Sequence, residues 1–269
     1  MKPVERCYHM LLSDKGIGYV SGADVEAMET GMPALELDGI VRRFSRRWVL
    51  RGVSLLVPAG EVVALTGRNG SGKTTLLRVV TTALRPTRGT GRVFGHDLVR
   101  DAAAVRSCVG VLAHHAGLYE DLTAEENLSF ALRMSGEAPD ALRILDALER
   151  VALGAERRER VRGFSAGMRR RLALARLLLR PPRLLLLDEP YSSFDADGID
   201  LVNAFAARIA AEGGAVLIAT HELARARGVV DRTVRIVDGR AMERDVEADI
   251  AADADVGARA RLRAVDGGV

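Results

Sequence analysis

Glutamine is absent from this 269-residue chain, and lysine stands only at Lys2, Lys15 and Lys73 although arginine is abundant. Codon bias in a GC-rich genome explains both, and against it a lysine kept at Lys73 stands out. Cysteine is scarce too. Cys7 and Cys108 alone cannot build a disulfide framework and read as free thiols of a reducing cytosol. No apolar run approaches the roughly 18 residues of a membrane span. The start, Met1-Lys2-Pro3-Val4-Glu5-Arg6, is too polar for a signal peptide. The arginine-rich stretches 157–162 and 169–171 lack interleaved aromatics, so they read as solvated helix faces, not as a nucleic-acid surface. A net charge of +3 does not call for nucleic acid either. What remains is an ordinary globular balance, 48% hydrophobic and 28% charged, which excludes collagen-like, mucin-like and wholly disordered chains. The length suits one α/β domain near its upper size.

Residues 1–33 show weak periodicity and are read as a poorly ordered extension, with Met28 and Met32 as alternative starts. Domain sequence opens near Ala34, where Ala34–Asp38 alternates like a half-buried strand. Val49–Val57 and Glu61–Thr66 are further strands, and Lys73–Leu84 a helix stopped before Pro86. Cys108–Leu112 reads as a buried strand. Thr123-Ala124-Glu125-Glu126 is a capping box that opens a helix to about Met134, and Ala138–Val151 is a second amphipathic helix. Ser165 caps a helix through Leu179. Leu184–Leu187 and Ala215–Ala219 are buried strands around a helix near Ile199–Ala211, with a short helix after His221. Thr233–Val237 and Arg240–Met242 form a terminal hairpin, and from Glu243 the chain becomes a charged tail read as exposed, helical or disordered. Strands alternating with helices imply an α/β fold with a mainly parallel sheet and a helical insertion at about 114–180.

Three motifs carry chemistry. Gly67-Arg68-Asn69-Gly70-Ser71-Gly72-Lys73-Thr74 is a full G-x-x-x-x-G-K-[ST] phosphate loop between a strand and a helix. Its glycines let successive N–H groups face phosphate oxygens, Lys73 reaches the β- and γ-phosphates, and the Thr74 hydroxyl ligates Mg²⁺; Thr75 follows on the helix. Leu184–Leu187 then delivers Asp188 and Glu189 to the carboxyl edge of the sheet. Asp188 there holds Mg²⁺ through water, and Glu189 polarises the water attacking the γ-phosphate. The third motif, Phe164-Ser165-Ala166-Gly167-Met168, has two readings. With Gly163 it spells G-x-S-x-G, and the order Ser165, Asp188, His221 matches a hydrolase triad. The nearly all-charged segment 156–162 stands where a nucleophile elbow needs a buried strand, and no His-Gly-Gly segment occurs.

The order of these motifs resembles the ATP-binding subunits of ABC transporters over about Ala34 to Met242. Phe164–Met168 fills the place of that family's signature, with conservative departures and Met where the family usually has Gln. The resemblance implies a P-loop NTPase core with an antiparallel β subdomain and a helical subdomain. It implies that Phe44 stacks on adenine, with Trp48 the weaker candidate. Ser192-Ser193-Phe194-Asp195 resembles the D-loop that crosses the dimer interface, and His221 the switch histidine on the γ-phosphate. It further implies a head-to-tail homodimer in which Ser165, Ala166 and Gly167 of one copy contact the ATP held by Lys73 of the other. The partner it implies is an integral membrane permease, reached from the cytoplasmic face, with ATP and Mg²⁺ as ligands and no nucleic acid.

In place of the family's Q-loop glutamine, which touches Mg²⁺ and the attacking water, stands His114. A neutral imidazole nitrogen can take the same hydrogen bonds. His114, with Leu122–Leu128 and Asp188-Glu189-Pro190-Tyr191, looks most like the ATP-binding subunit of the haem exporter of cytochrome c biogenesis. Export of a drug, lipid or polysaccharide, and a soluble ABC ATPase acting as an assembly scaffold, are the alternatives.

Overall fold

The computed structural model describes residues 8–13, 16–21, 32–113 and 117–250. Strands β1 (Tyr8–Ser13) and β2 (Gly16–Ser21) pair as an antiparallel hairpin. Neither strand carries a sequence signal, because the first is apolar without alternation and the second is interrupted by glycine. β3 (Leu35–Phe44), β4 (Arg47–Val57), β6 (Arg88–Val93) and β7 (His96–Asp97) form an antiparallel sheet in the order β4-β3-β6-β7. The second sheet runs β12 (Arg240–Arg244), β11 (Arg232–Val237), β5 (Val62–Thr66), β10 (Ala215–Ala219), β9 (Leu184–Asp188), β8 (Val109–Leu112). All its neighbours pair in parallel except β11 with β12.

Every residue of β5, β9 and β10 is buried, which is why these strands read as unbroken apolar runs. Alternate residues feed two cores. Leu185, Leu187, Val216 and Ile218 face α3 (Ala124–Met134), α4 (Ala141–Arg150), α5 (Ala166–Leu179) and α6 (Ala196–Ala211). Leu184, Leu186, Leu217 and Leu65 face α1 (Lys73–Val80), α2 (Ala102–Cys108) and the antiparallel sheet. Burying each such leucine contributes about 1.5–3 kcal/mol. The register sets Ala219 beside both Leu65 and Asp188. The carboxyl ends of β5, β10 and β9 therefore finish level, on the edge where open α/β sheets bind ligands.

The local signals largely hold. Thr123 and Glu126 make both bonds of the capping box, at 3.2 and 2.8 Å, and the Ser165 hydroxyl accepts from the Met168 N–H. The helix after the phosphate loop stops at Val80 and not Leu84, and Cys108 ends α2 instead of opening β8. β6 was not foreseen. Its Gly89 lies at φ +86° against the backbone of β3, where a Cβ would meet the Gly39 carbonyl oxygen at 2.4 Å. Glycine lowers strand propensity while permitting this close approach.

The described part of the tail is helical, as one reading had it, but its start and its full exposure need correction. β12 extends to Arg244, residues 246–250 are helical, and Asp249 is buried. Asp249 accepts from the Thr66 hydroxyl at 2.7 Å and pairs with Arg235 at 3.0 Å. A composition of Ala, Asp and Glu gives no hint that one carboxylate turns inward. Asp249→Ala leaves the buried Thr66 hydroxyl without this acceptor, a loss of about 1–3 kcal/mol. The expected drop in melting temperature is about 2–12 °C. Calorimetry on the two proteins checks it, and an unchanged midpoint would show that Asp249 anchors nothing.

Candidate functional site

The loop from β5 to α1 has Gly67, Gly70 and Gly72 at φ +140°, +79° and +117°. Gly67 could not carry a Cβ, which would lie 2.6 Å from the Ile236 carbonyl oxygen on β11. α1 starts at Lys73 with no side-chain cap and no acidic residue in its first turn, so its leading N–H groups are open to an anion. The Ser71 hydroxyl is buried without a hydrogen-bond partner among the described residues. An unpaired buried donor of this kind fits an incoming phosphate oxygen. Arg68, Asn69, Gly70, Ser71, Gly72, Lys73, Thr74, Thr75 and Glu189 line a cavity of about 400 Å³.

Lys73 is buried, its Nζ donating to the Gly67 carbonyl at 2.8 Å and standing 3.8 Å from Glu189 Oε1. The Thr74 hydroxyl donates to Asp188 Oδ1 at 3.2 Å. Burial pushes the Asp188 carboxyl above its usual range, against the pull of the Thr74 hydrogen bond. Glu189 turns the chain at φ +48°, and its N–H donates to the Ala219 carbonyl at 2.8 Å. His221, just past β10, brings Nδ1 to 2.8 Å from Glu189 Oε2. One carboxylate thus stands between a cation and an imidazole at the mouth of the phosphate loop.

The signature segment lies apart from this cluster. Ser165 and Ala166 are exposed at the start of α5, and neither they nor Gly167 line the cavities at the phosphate loop. A Cβ on Gly167 would meet the Ser193 carbonyl oxygen at 3.2 Å, so the segment abuts the loop after Glu189. Asp195 caps α6 through the Gly198 N–H at 3.0 Å, which with Arg171, at 2.7 Å, holds its carboxyl below the usual range. The hydrolase reading fails on geometry. A 3-10 turn, Val161–Gly163, precedes Ser165 where an elbow needs a strand, the serine hydroxyl caps a helix, and His221 faces Glu189.

Arginines 169–171 are not a solvated face. Arg170 is buried and donates to the carbonyl oxygens of Asp188, at 3.2 Å, and Glu189. Arg171 holds Asp195 and the Val151 carbonyl. The signal was present but easily missed: Arg170 shares a helix face with the buried Ala173, Leu174 and Leu177, at i+3, i+4 and i+7.

Beside the phosphate loop opens a second cavity of about 880 Å³, walled by Arg46, Arg47, Trp48, Gly67, Arg235 and Gly239 among others. Trp48 lines it and Phe44 does not. Phe44 sits at the hairpin tip, paired with Arg47 and covered by the Arg42 guanidinium at 4.6 Å. His114 lies outside the described residues, as do His115 and Ala116. Among the described residues no group of three or more His, Cys, Asp or Glu could hold a metal alone. Thr74 and Asp188 are nonetheless adjoining hard oxygen donors, which suits Mg²⁺ held by one carboxylate, a hydroxyl and substrate phosphates.

A family model described as ABC transporter matches residues 50–192, which contain the phosphate loop, the signature segment and both carboxylates. The chain is 40% identical over 207 residues to the daunorubicin resistance ATP-binding protein DrrA3 of Streptomyces coeruleorubidus, covering 76% of this chain but 65% of that one. It is 39% identical over 189 residues to the cytochrome c biogenesis ATP-binding export protein CcmA 2 of Cupriavidus metallidurans, covering 68% of this chain and 86% of that one. A solved structure of the ATP binding subunit of an ABC transporter superposes with a TM-score of 0.72 at 27% identity, over 80% of this chain and 91% of that one. The chain belongs to the ABC transporter family, as an ATP-binding domain of the kind that hydrolyses ATP.

Proposed function

We propose that this protein is a peripheral ATPase subunit that powers a membrane permease from its cytoplasmic face. The convergence of Lys73, Thr74, Asp188, Glu189 and His221 at the ends of three adjacent strands carries this reading. Among the described residues no helix is long and apolar enough to cross a membrane, so the pathway belongs to the partner. The loop N–H groups and Lys73 bind the β- and γ-phosphates. Thr74 and Asp188 would hold Mg²⁺, which neutralises charge between those phosphates. Glu189 accepts a proton from the attacking water as the water oxygen bonds to the γ-phosphorus and the bond from that phosphorus to the β–γ bridging oxygen breaks, releasing ADP and phosphate. His221 orients Glu189 and reaches the γ-phosphate. Ser165, Ala166 and Gly167, exposed on α5, complete the site of a second copy, and Asp195 lies at that seam. His114 takes the place of the glutamine that senses the water.

Phe44 stacks on adenine. An aromatic stack contributes about 0.5–1.5 kcal/mol beyond area, so Phe44→Ala should weaken ATP binding about 3–10-fold. Trp48→Ala should weaken it less. Titration calorimetry measures both, and the reverse order would move the stack to Trp48, which walls the larger cavity.

For cargo we infer haem export for cytochrome c biogenesis, supported by His114 and by the similarity to CcmA 2. Drug export is the second reading, favoured by the similarity to DrrA3. Deleting the gene separates them. Loss of c-type cytochrome absorbance supports haem export. Intact cytochromes with raised sensitivity to an anthracycline support the second. Copurification with a membrane protein tests the partnership itself, and a chain that stays soluble alone favours the scaffold alternative.

A further inference from the structure

Glu189 occupies an unfavourable backbone position. A non-glycine residue in the left-handed region persists only where its surroundings hold it. Three groups do so. The Ala219 carbonyl takes the Glu189 N–H, the Ser192 hydroxyl donates to the Glu189 carbonyl at 3.0 Å, and Arg170 donates to the carbonyls of both Asp188 and Glu189. Ser192 is local to the turn and Ala219 ends the neighbouring strand β10, whereas Arg170 reaches in from a helix. It projects from α5, whose first residues are the exposed signature segment. The same short stretch of α5 touches the loop twice more, Gly167 against the Ser193 carbonyl and Arg171 on Asp195. Burying a guanidinium is unfavourable in itself, and desolvation lowers the Arg170 pKa while Asp188 and Glu189 oppose that fall. Its Nε has no partner among the described residues. A leucine would fill this core position without that penalty, so packing alone does not account for the residue.

We propose that Arg170 is a positioning residue that locks the Asp188–Glu189 turn to the signature end of α5, so that a nucleotide gripped by Ser165–Gly167 sets the placement of Glu189. In the head-to-tail dimer that nucleotide belongs to the other subunit's phosphate loop, and Arg170 then links the two ATP sites. The inference rests on the ATPase reading above and names a control within it. One terminal nitrogen, Nη2, carries both carbonyl bonds, and arginine is suited to this buried place because its guanidinium is more weakly hydrated than an ammonium.

The test uses the full chain with Arg170→Gln and Arg170→Lys, measuring ATP hydrolysis, ATP affinity and melting temperature. A misplaced catalytic group costs up to about 100-fold in rate, so kcat in Arg170→Gln should fall about 10–100-fold. KM and the ATP dissociation constant should stay within roughly threefold of wild type, because the phosphate loop is untouched. Arg170→Lys should recover part of kcat. A role in packing alone would lower the folded, ATP-binding fraction and leave turnover per bound ATP intact. That outcome overturns the proposal, as does wild-type kcat in Arg170→Gln. If the glutamine variant does not fold, Arg170→Lys decides alone: a loss of about 3–10-fold in kcat supports the link, and wild-type kcat ends it. Glu189→Gln is measured alongside. Turnover that survives it removes Glu189 as the base, and wild-type turnover no higher than that of Lys73→Ala overturns the ATPase reading, which separates both failures from a failure of Arg170.

Discussion

Lys73→Ala is expected to lower ATP turnover at least about 100-fold, because a fixed cation aimed at developing charge is worth about 2.7–4 kcal/mol in a water-poor site. The lysine is buried, yet its place at the rim of the cavity points its ammonium at Glu189 and the Gly67 carbonyl, its partners among the described residues. ATP gives that ammonium better partners. Removing the side chain leaves Glu189 with His221 and with water, since the Glu189 side chain is 23% exposed. The fold should therefore tolerate the change, with a midpoint shift of only a few degrees for about 1 kcal/mol. ATP affinity should fall together with turnover. A phosphate-release assay and a melting curve on the same preparation check both halves. Wild-type turnover would remove Lys73 from the phosphates and with it the reading of the loop.

The parts of this site that are contiguous in the chain were legible in the sequence. The phosphate loop is a run of eight residues whose glycines answer to local backbone demands, and Asp188-Glu189 ends a strand recognisable by its apolar run. What joins them was not. The 2.8 Å contact of His221 with Glu189 depends on β9 and β10 lying side by side in one register, a long-range fact without a local signal. Arg170 was misread because one buried arginine among three consecutive arginines looks like its neighbours until the helix face is counted. Asp249 was misread because charge-rich composition is an average and burial belongs to a single side chain. β6 escaped for the opposite reason: its glycines, which weaken a strand in isolation, are what let it lie against β3.

Glu189→Gln is expected to bind ATP like wild type and to hydrolyse it about 100–10,000-fold more slowly, the range over which general acid–base catalysis acts. The substitution keeps shape and length. A glutamine oxygen can still accept from the His221 ring, and the backbone bonds that hold the turn, from Ala219, Ser192 and Arg170, do not involve the side chain. What disappears is the lone pair able to take a proton from water. ATP should then persist in the site long enough for Ser165–Gly167 of a second copy to close over it, and the protein should run as a dimer with Mg²⁺ and ATP present. Light scattering after gel filtration, with and without ATP, reads the mass directly. A slow variant that stays monomeric at saturating ATP would keep Glu189 as the base and remove the sandwich. A dimer that still turns over at the wild-type rate would keep the sandwich and pass the proton to another group.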